Sequence, residues 1–81
     1  MFLVSEQVIR AERVGIENRW VCIRLQDERE IRFPAHKNKR LAKASSEQLA
    51  EVELICGGTG LHWASLDEDL SVVGILEGRL G

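Results

Sequence analysis

The densest grouping of side chains able to do chemistry is the run Gly57-Gly58-Thr59-Gly60-Leu61-His62-Trp63-Ala64-Ser65-Leu66-Asp67-Glu68-Asp69-Leu70-Ser71-Val72. Three chemistries compete for it. A phosphate cradle would use Gly57-Gly58-Thr59-Gly60, but the run lacks the lysine of a P-loop and the strand, loop and helix order of a dinucleotide fingerprint. A metal site would take a nitrogen from His62 and carboxylates from Asp67, Glu68 and Asp69, yet consecutive carboxylates at a helix start diverge around its axis. The third reading needs no ligand: the glycines allow a tight turn, Trp63 fills the core, His62 satisfies a backbone group, and Asp67 caps a helix whose first turn holds Glu68 and Asp69. On this reading no metal or cofactor is expected. Gly58, Gly60, Trp63 and Asp67 form a structural signature, while His62, Glu68 and Asp69 are the candidates for touching a partner, with Glu68 and Asp69 as the exposed pair.

Nucleophilic catalysis has less support. Ser45, Ser46, Ser65 and Ser71 lack an elbow motif, and the histidines are His36 and His62. Cys22 and Cys56 sit in apolar settings, Val21-Cys22-Ile23 and Ile55-Cys56, where a free thiol is commonly a small buried hydrophobe. The sequence therefore predicts neither a catalytic residue nor an enzyme.

Charge is unevenly placed. Residues 32–43 carry five basic groups, Arg32, Lys37, Lys39, Arg40 and Lys43, with His36 among them and no acid. Residues 44–81 carry one basic and seven acidic groups. The basic segment reads either as a solvated face or as a contact for nucleic-acid phosphate. A following helix bearing Glu47, Glu51 and Glu53 would repel phosphate from a major groove, so DNA binding is expected to be weak.

These residues must be positioned by short elements. Val21, Ile23 and Leu25 alternate with Trp20, Cys22 and Arg24, and Ile31 and Phe33 alternate with Glu30 and Arg32, which predicts a hairpin. A three-residue loop, Asp27 to Arg29, pairs Leu25 with Ile31 and Ile23 with Phe33, and strains Glu28 or Arg29 because no glycine is available. An earlier strand is expected from about Gln7 to Ile16, turning at Glu17-Asn18. Pro34 then opens a helix over about 35–44, and Ser45 or Ser46 caps a second one, together a helix-turn-helix-sized element. Leu54-Ile55-Cys56 reads as a short strand. Leu66, Leu70, Val73 and Leu76 fall at helical spacing and predict a third helix over about 68–77, weakened by Gly74. Trp63 is expected to be buried and Trp20 more exposed.

With 81 residues, 44% apolar, 30% charged and a net charge of −2, the chain is expected to be one domain, 1–81, worth about 4–12 kcal/mol. No apolar stretch approaches the ~20 residues that span a membrane, and Met1-Phe2-Leu3-Val4 lacks the basic flank and apolar core of a signal peptide. Two cysteines make no disulfide framework, so a cytoplasmic location with reduced thiols is expected.

The order of a hairpin Leu25-Gln26-Asp27-Glu28-Arg29-Glu30-Ile31, Phe33-Pro34, Leu41 and Ala44, Leu49 with Glu53, then Gly58-Thr59-Gly60-Leu61-His62-Trp63 and Leu66-Asp67-Glu68-Asp69-Leu70-Ser71-Val72 with Ile75-Leu76 and Gly78, resembles the bacterial domain-of-unknown-function family 2442. The resemblance runs over about residues 8–78. Glu28 stands where that family usually has a turn glycine, and Ala64 where proline often follows the tryptophan. The resemblance implies an α+β fold, a small antiparallel sheet packed against two to three short helices, in a bacterial or phage cytoplasmic protein. It also implies an antitoxin-like role beside another short protein, and a separate helix-turn-helix domain in some members, with none expected after Gly81. No catalytic residue is carried over.

The leading functional expectation is a non-enzymatic module that binds another small protein, an antitoxin-like partner masking a cationic toxin through the acidic C-terminal half. The alternative is a DNA-binding regulator using residues 32–43, and a metal-dependent enzyme at His62 ranks third.

Overall fold

Alternating apolar and charged residues build the first sheet of the computed structural model, which describes residues 8–81. The expected strand start at Gln7 and the apolar Met1 to Val4 lie outside the described residues. Strands β1 (Ala11–Glu17), β2 (Trp20–Leu25) and β3 (Glu30–Pro34) pair antiparallel in the order β1-β2-β3. Val21, Ile23 and Leu25 point from β2 into the core. Asn18 and Arg19 form the first turn, both at positive φ (51° and 64°), as a two-residue hairpin matched to strand twist requires.

The second hairpin has a loop of the expected length, placed one residue earlier. Leu25 N–H donates to the Arg29 carbonyl (2.8 Å) and Glu28 N–H to the Leu25 carbonyl (2.9 Å), so the loop is Gln26–Glu28. Ile23 therefore pairs with Ile31 and Val21 with Phe33, two residues away from the predicted register. A shift of two keeps every side chain on its face, so the apolar pattern alone could not separate the registers. The expected strain falls on Glu28, at φ 77°.

The helix expected over 35–44 is two pieces, a 3₁₀ turn Ala35–Lys37 and helix α1 (Lys39–Ala42). Asn38 separates them in extended conformation (φ −117°) because its side chain caps α1, accepting from Leu41 N–H. Helix α2 (Ser46–Leu49) follows the predicted cap: Ser45 Oγ accepts from Gln48 N–H (3.1 Å), and Gln48 Oε1 from Ser45 N–H (2.9 Å).

The later strand is one of three. Strands β4 (Glu53–Ile55), β5 (Gly60–Trp63) and β6 (Glu68–Ser71) form a second antiparallel sheet, and helix α3 spans Val72–Leu76. The architecture is thus α+β with two small sheets and three short helices. The helix predicted over 68–77 is corrected to a strand followed by a short helix capped by Ser71, whose Oγ accepts from Gly74 N–H. Asp67 caps no helix; it lies in the left-handed region (φ 52°) and turns the chain into β6. The apparent helical stripe misled because Leu70 is buried as a strand residue, while Val73 and Leu76 are exposed and Val72 and Ile75 supply the buried face of α3.

The core joins the inner faces of both sheets with Leu41 of α1, Leu49 of α2, and Val72 and Ile75 of α3. Trp63 is fully buried and its Nε1 donates to the Leu49 carbonyl (3.1 Å), fastening the second sheet to α2. Gly58, at φ 95°, is required where the 3₁₀ turn Cys56–Gly58 passes β1, since a Cβ there would collide with the Ala11 carbonyl oxygen. Cys22 is half-buried and Cys56 exposed, both free, so the expected burial of Cys56 is corrected. Among the described residues no helix is long and apolar enough to cross a membrane.

Glu28→Gly removes left-handed strain of about 1–2 kcal/mol and adds about 0.5–1 kcal/mol of unfolded-state entropy. The variant should be more stable by up to about 1 kcal/mol, read as a raised urea midpoint at unchanged slope; a lowered midpoint contradicts the strain assigned to this loop.

Candidate interaction surfaces

Register decides which charged side chains share a face. Across the second sheet Glu53 is opposite His62 and His62 opposite Asp69, so an acid, an imidazole and an acid form one cross-strand row on the outer face. The inner row is Leu54, Leu61 and Leu70. Gly60 lets Ile55 lie across β5 on the outer face, next to the Glu53, His62 and Asp69 row, because a Cβ there would sit 3.1 Å from Ile55 Cγ1.

The His62 imidazole is hydrogen-bonded through Nδ1 to the Asp69 carboxylate, not to the backbone group expected from sequence. That hydrogen bond, with the negative charge of Asp69, Glu53 and Asp67, holds the His62 pKa above its usual value against a smaller opposing effect of desolvation. Asp69 is exposed, Glu68 is not: strand alternation turns Glu68 toward the interior beside Trp63. Asn38 Nδ2 donates to Glu68 Oε2 (2.7 Å), and Arg40 Nε lies 3.9 Å from Glu68 Oε1. The expected exposed pair Glu68 and Asp69 is therefore corrected. Asp69 joins Glu53 and His62 outside, and Glu68 is part of an internal clasp. A strand pattern read over 68–71 would have found this, since Glu68 shares the parity of Leu70.

Asn38 organises that clasp. It is 1% exposed, and besides capping α1 its Nδ2 donates to the Leu80 carbonyl (2.6 Å). Arg40 Nη1 donates to the carbonyls of Leu66 (2.9 Å) and Asp67 (3.2 Å).

The basic segment divides into two kinds of cation. Arg40 is engaged as described, and Arg32 pairs with Glu17 across the first sheet (2.9 Å). Lys37, Lys39 and Lys43, the only lysines in the chain, are exposed and make no ion pair among the described residues. The four-residue α1 and α2 fall short of the expected helix-turn-helix element and of a groove-reading helix. Among the described residues no three His, Cys, Asp or Glu side chains converge as a metal ion needs.

The chain is matched by the model for "Protein of unknown function (DUF2442)" over residues 11–81, and it belongs to that family. It is similar to a protein of unknown function from Rhodospirillum rubrum ATCC 11170, seen in a crystal structure, with 34% identity over 93% of each chain and a TM-score of 0.87. It is also similar to an uncharacterised protein of Chromobacterium violaceum, seen in a solution NMR structure, with 31% identity, a TM-score of 0.78 and coverage of 89% of this chain and 68% of that one. No curated protein matches the chain.

Two outcomes test this geometry. Because the His62 pKa is raised on folding, its pairing with Asp69 stabilises fully below the unfolded value of about 6.5 and is lost as pH rises through the folded one. His62→Gln should therefore melt below wild type near pH 5.5, with the gap closing as pH rises above the unfolded value; a gap that widens with pH contradicts the pairing. Asn38→Asp keeps the cap acceptor but faces Glu68 and the Leu80 carbonyl with a carboxylate. It should cost about 2–4 kcal/mol at neutral pH and recover part of that as pH falls through about 4–5, measured by denaturant unfolding.

Proposed function

We propose that the chain is a non-enzymatic protein-interaction module, antitoxin-like in masking a small cationic protein, and that the partner docks on the outer face of the second sheet. The observation that carries this reading is the Glu53, His62 and Asp69 row. Two carboxylates standing on a rigid sheet, one at each side of an imidazole, suit lysine or arginine side chains of a partner, and need no new ordering of loops before contact. The buried Leu61 and Leu70, with the half-buried Leu54, lie beneath and hold the row in register. The alternative of a duplex-reading regulator has α1 and α2 against it, each only four residues long.

The test is association with the product of the adjacent gene, followed by the Glu53→Gln, Asp69→Asn double variant. Both side chains are exposed, so the fold should survive. The reading expects the variant to associate several-fold more slowly at low salt, with the difference shrinking as ionic strength screens the row. Equal association rates for variant and wild type, or an acidic partner, would refute it.

A further inference from the structure

We infer that the Trp20 end of the first sheet is a docking surface for single-stranded nucleic acid, with the exposed indole as a stacking platform and Lys37, Lys39 and Lys43 as phosphate contacts. This goes beyond the acidic-face reading and stands independently of it.

Trp20 is 43% exposed, in contrast to the fully buried Trp63. It stands on the outer face of β2, opposite Glu17 on one side and Pro34 on the other. The next row on the same face is Cys22 between Gly15 and Arg32. At Gly15 an added Cβ would meet no atom within 4 Å, so the floor beyond the indole is flat and open. A shallow concavity of about 260 Å³, bounded by Arg13, Gly15, Cys22, Arg24 and Glu30, continues that floor. It is smaller than a drug-sized pocket and on the scale of one base.

The cations come to this end through the backbone. Ala35 N–H donates to the Arg19 carbonyl (2.8 Å), and Arg19 Nη2 donates to the carbonyls of Leu41 (3.3 Å) and Ala44 (3.0 Å). The turn before Trp20, the 35–37 segment and the C-terminal end of α1 are thereby stitched together, with Lys37 on the second and Lys43 at the last. Residues 32–46 contain no acid, and the nearby Glu17 is neutralised by Arg32. Glu68 is the second-sheet acid that meets this segment, and it is engaged by Asn38 Nδ2 (2.7 Å) and by Arg40, whose Nε lies 3.9 Å away.

An exposed aromatic beside unpaired lysines matches the two components of sequence-tolerant single-strand binding, stacking on a base and contact with phosphate. Duplex DNA offers no exposed base face to Trp20, and no helix among the described residues is long enough to enter its groove. Phe33, the aromatic residue within the basic segment, is buried, and Trp20 arrives from a paired strand.

The test is a tryptophan-fluorescence titration of the intact chain at about 50 mM salt with oligothymidylate and oligouridylate of about ten nucleotides, alongside a duplex and polyglutamate. At least one single strand should quench the exposed indole, and log affinity should fall against log salt with a slope of roughly −2, as three phosphate contacts require. With a labelled strand, Trp20→Ala should bind about tenfold more weakly at unchanged slope, and Trp20→Phe should recover most of the loss. The Lys37→Gln, Lys39→Gln, Lys43→Gln variant should flatten the slope while its circular dichroism stays native. Failure of both strands to bind, equal binding of the duplex or of polyglutamate, or an unchanged slope in the lysine variant would each overturn the proposal.

Discussion

A single buried amide sets the relation between the helical segment and the second sheet. Asn38 has two donors and one strong acceptor to satisfy at 1% exposure, and it satisfies them with Leu41 N–H, Glu68 and the Leu80 carbonyl. An unmet partner in that position would cost about 1–3 kcal/mol, a large share of what an 81-residue chain has. The three partners belong to α1, β6 and the C-terminal segment, so the amide fixes all of them together. Arg40 reinforces the same junction through the Leu66 and Asp67 carbonyls, which holds Asp67 in its left-handed turn. That turn sets the parity of β6, and the parity sends Glu68 inward and Asp69 outward to His62.

Much of the first sheet was legible in the sequence because its cues are local. Period-two alternation, the three-residue loop and the strain at Glu28 follow from residues within a few positions of one another, and the register slipped only by a step that leaves the faces unchanged. The family signature around Gly58, Gly60 and Trp63 also marked residues that the backbone needs. The second sheet was less legible. Over 66–76 the apolar spacing suits a helix as well as a strand, and what decides is the pairing of Leu70 with Leu61, which no local pattern contains. The site suffered from the same ambiguity: with 68–71 read as helix, Asp69 and Glu68 looked equivalent, and Glu53 could not be placed beside His62 at all.

The division of labour between cations follows from their chemistry. The planar guanidinium reaches two acceptors at once and is weakly hydrated, so Arg19 and Arg40 can close helix and turn carbonyls while Arg24 and Arg32 pair across strands. The ammonium of lysine is strongly hydrated and keeps little structure together, and all three lysines are left in solvent within residues 37–43. A charge that the fold does not use is the one open to an external anion. The charged pairs themselves are mostly exposed and contribute little stability each, so the arginines matter for register more than for energy.

Short elements explain why such clasps are needed. A four-residue helix gains nothing from cooperative propagation, and α1 and α2 would not persist in water alone. Each is instead held at its ends: Asn38 and Ser45 cap the starts, Arg19 takes the carbonyls at the end of α1, and the Trp63 indole takes the Leu49 carbonyl at the end of α2. Side chains of the two sheets thus terminate the helices, and the helices in turn cover the inner faces of the sheets with Leu41 and Leu49. The outer faces, having no structural duty of that kind, are free to carry an acidic row on one sheet and an exposed indole on the other. The cation-bearing segment is anchored to both sheets, through Arg19 to the first and through Asn38 and Arg40 to the second, so its position relative to each outer face is fixed by the same clasps that end the helices.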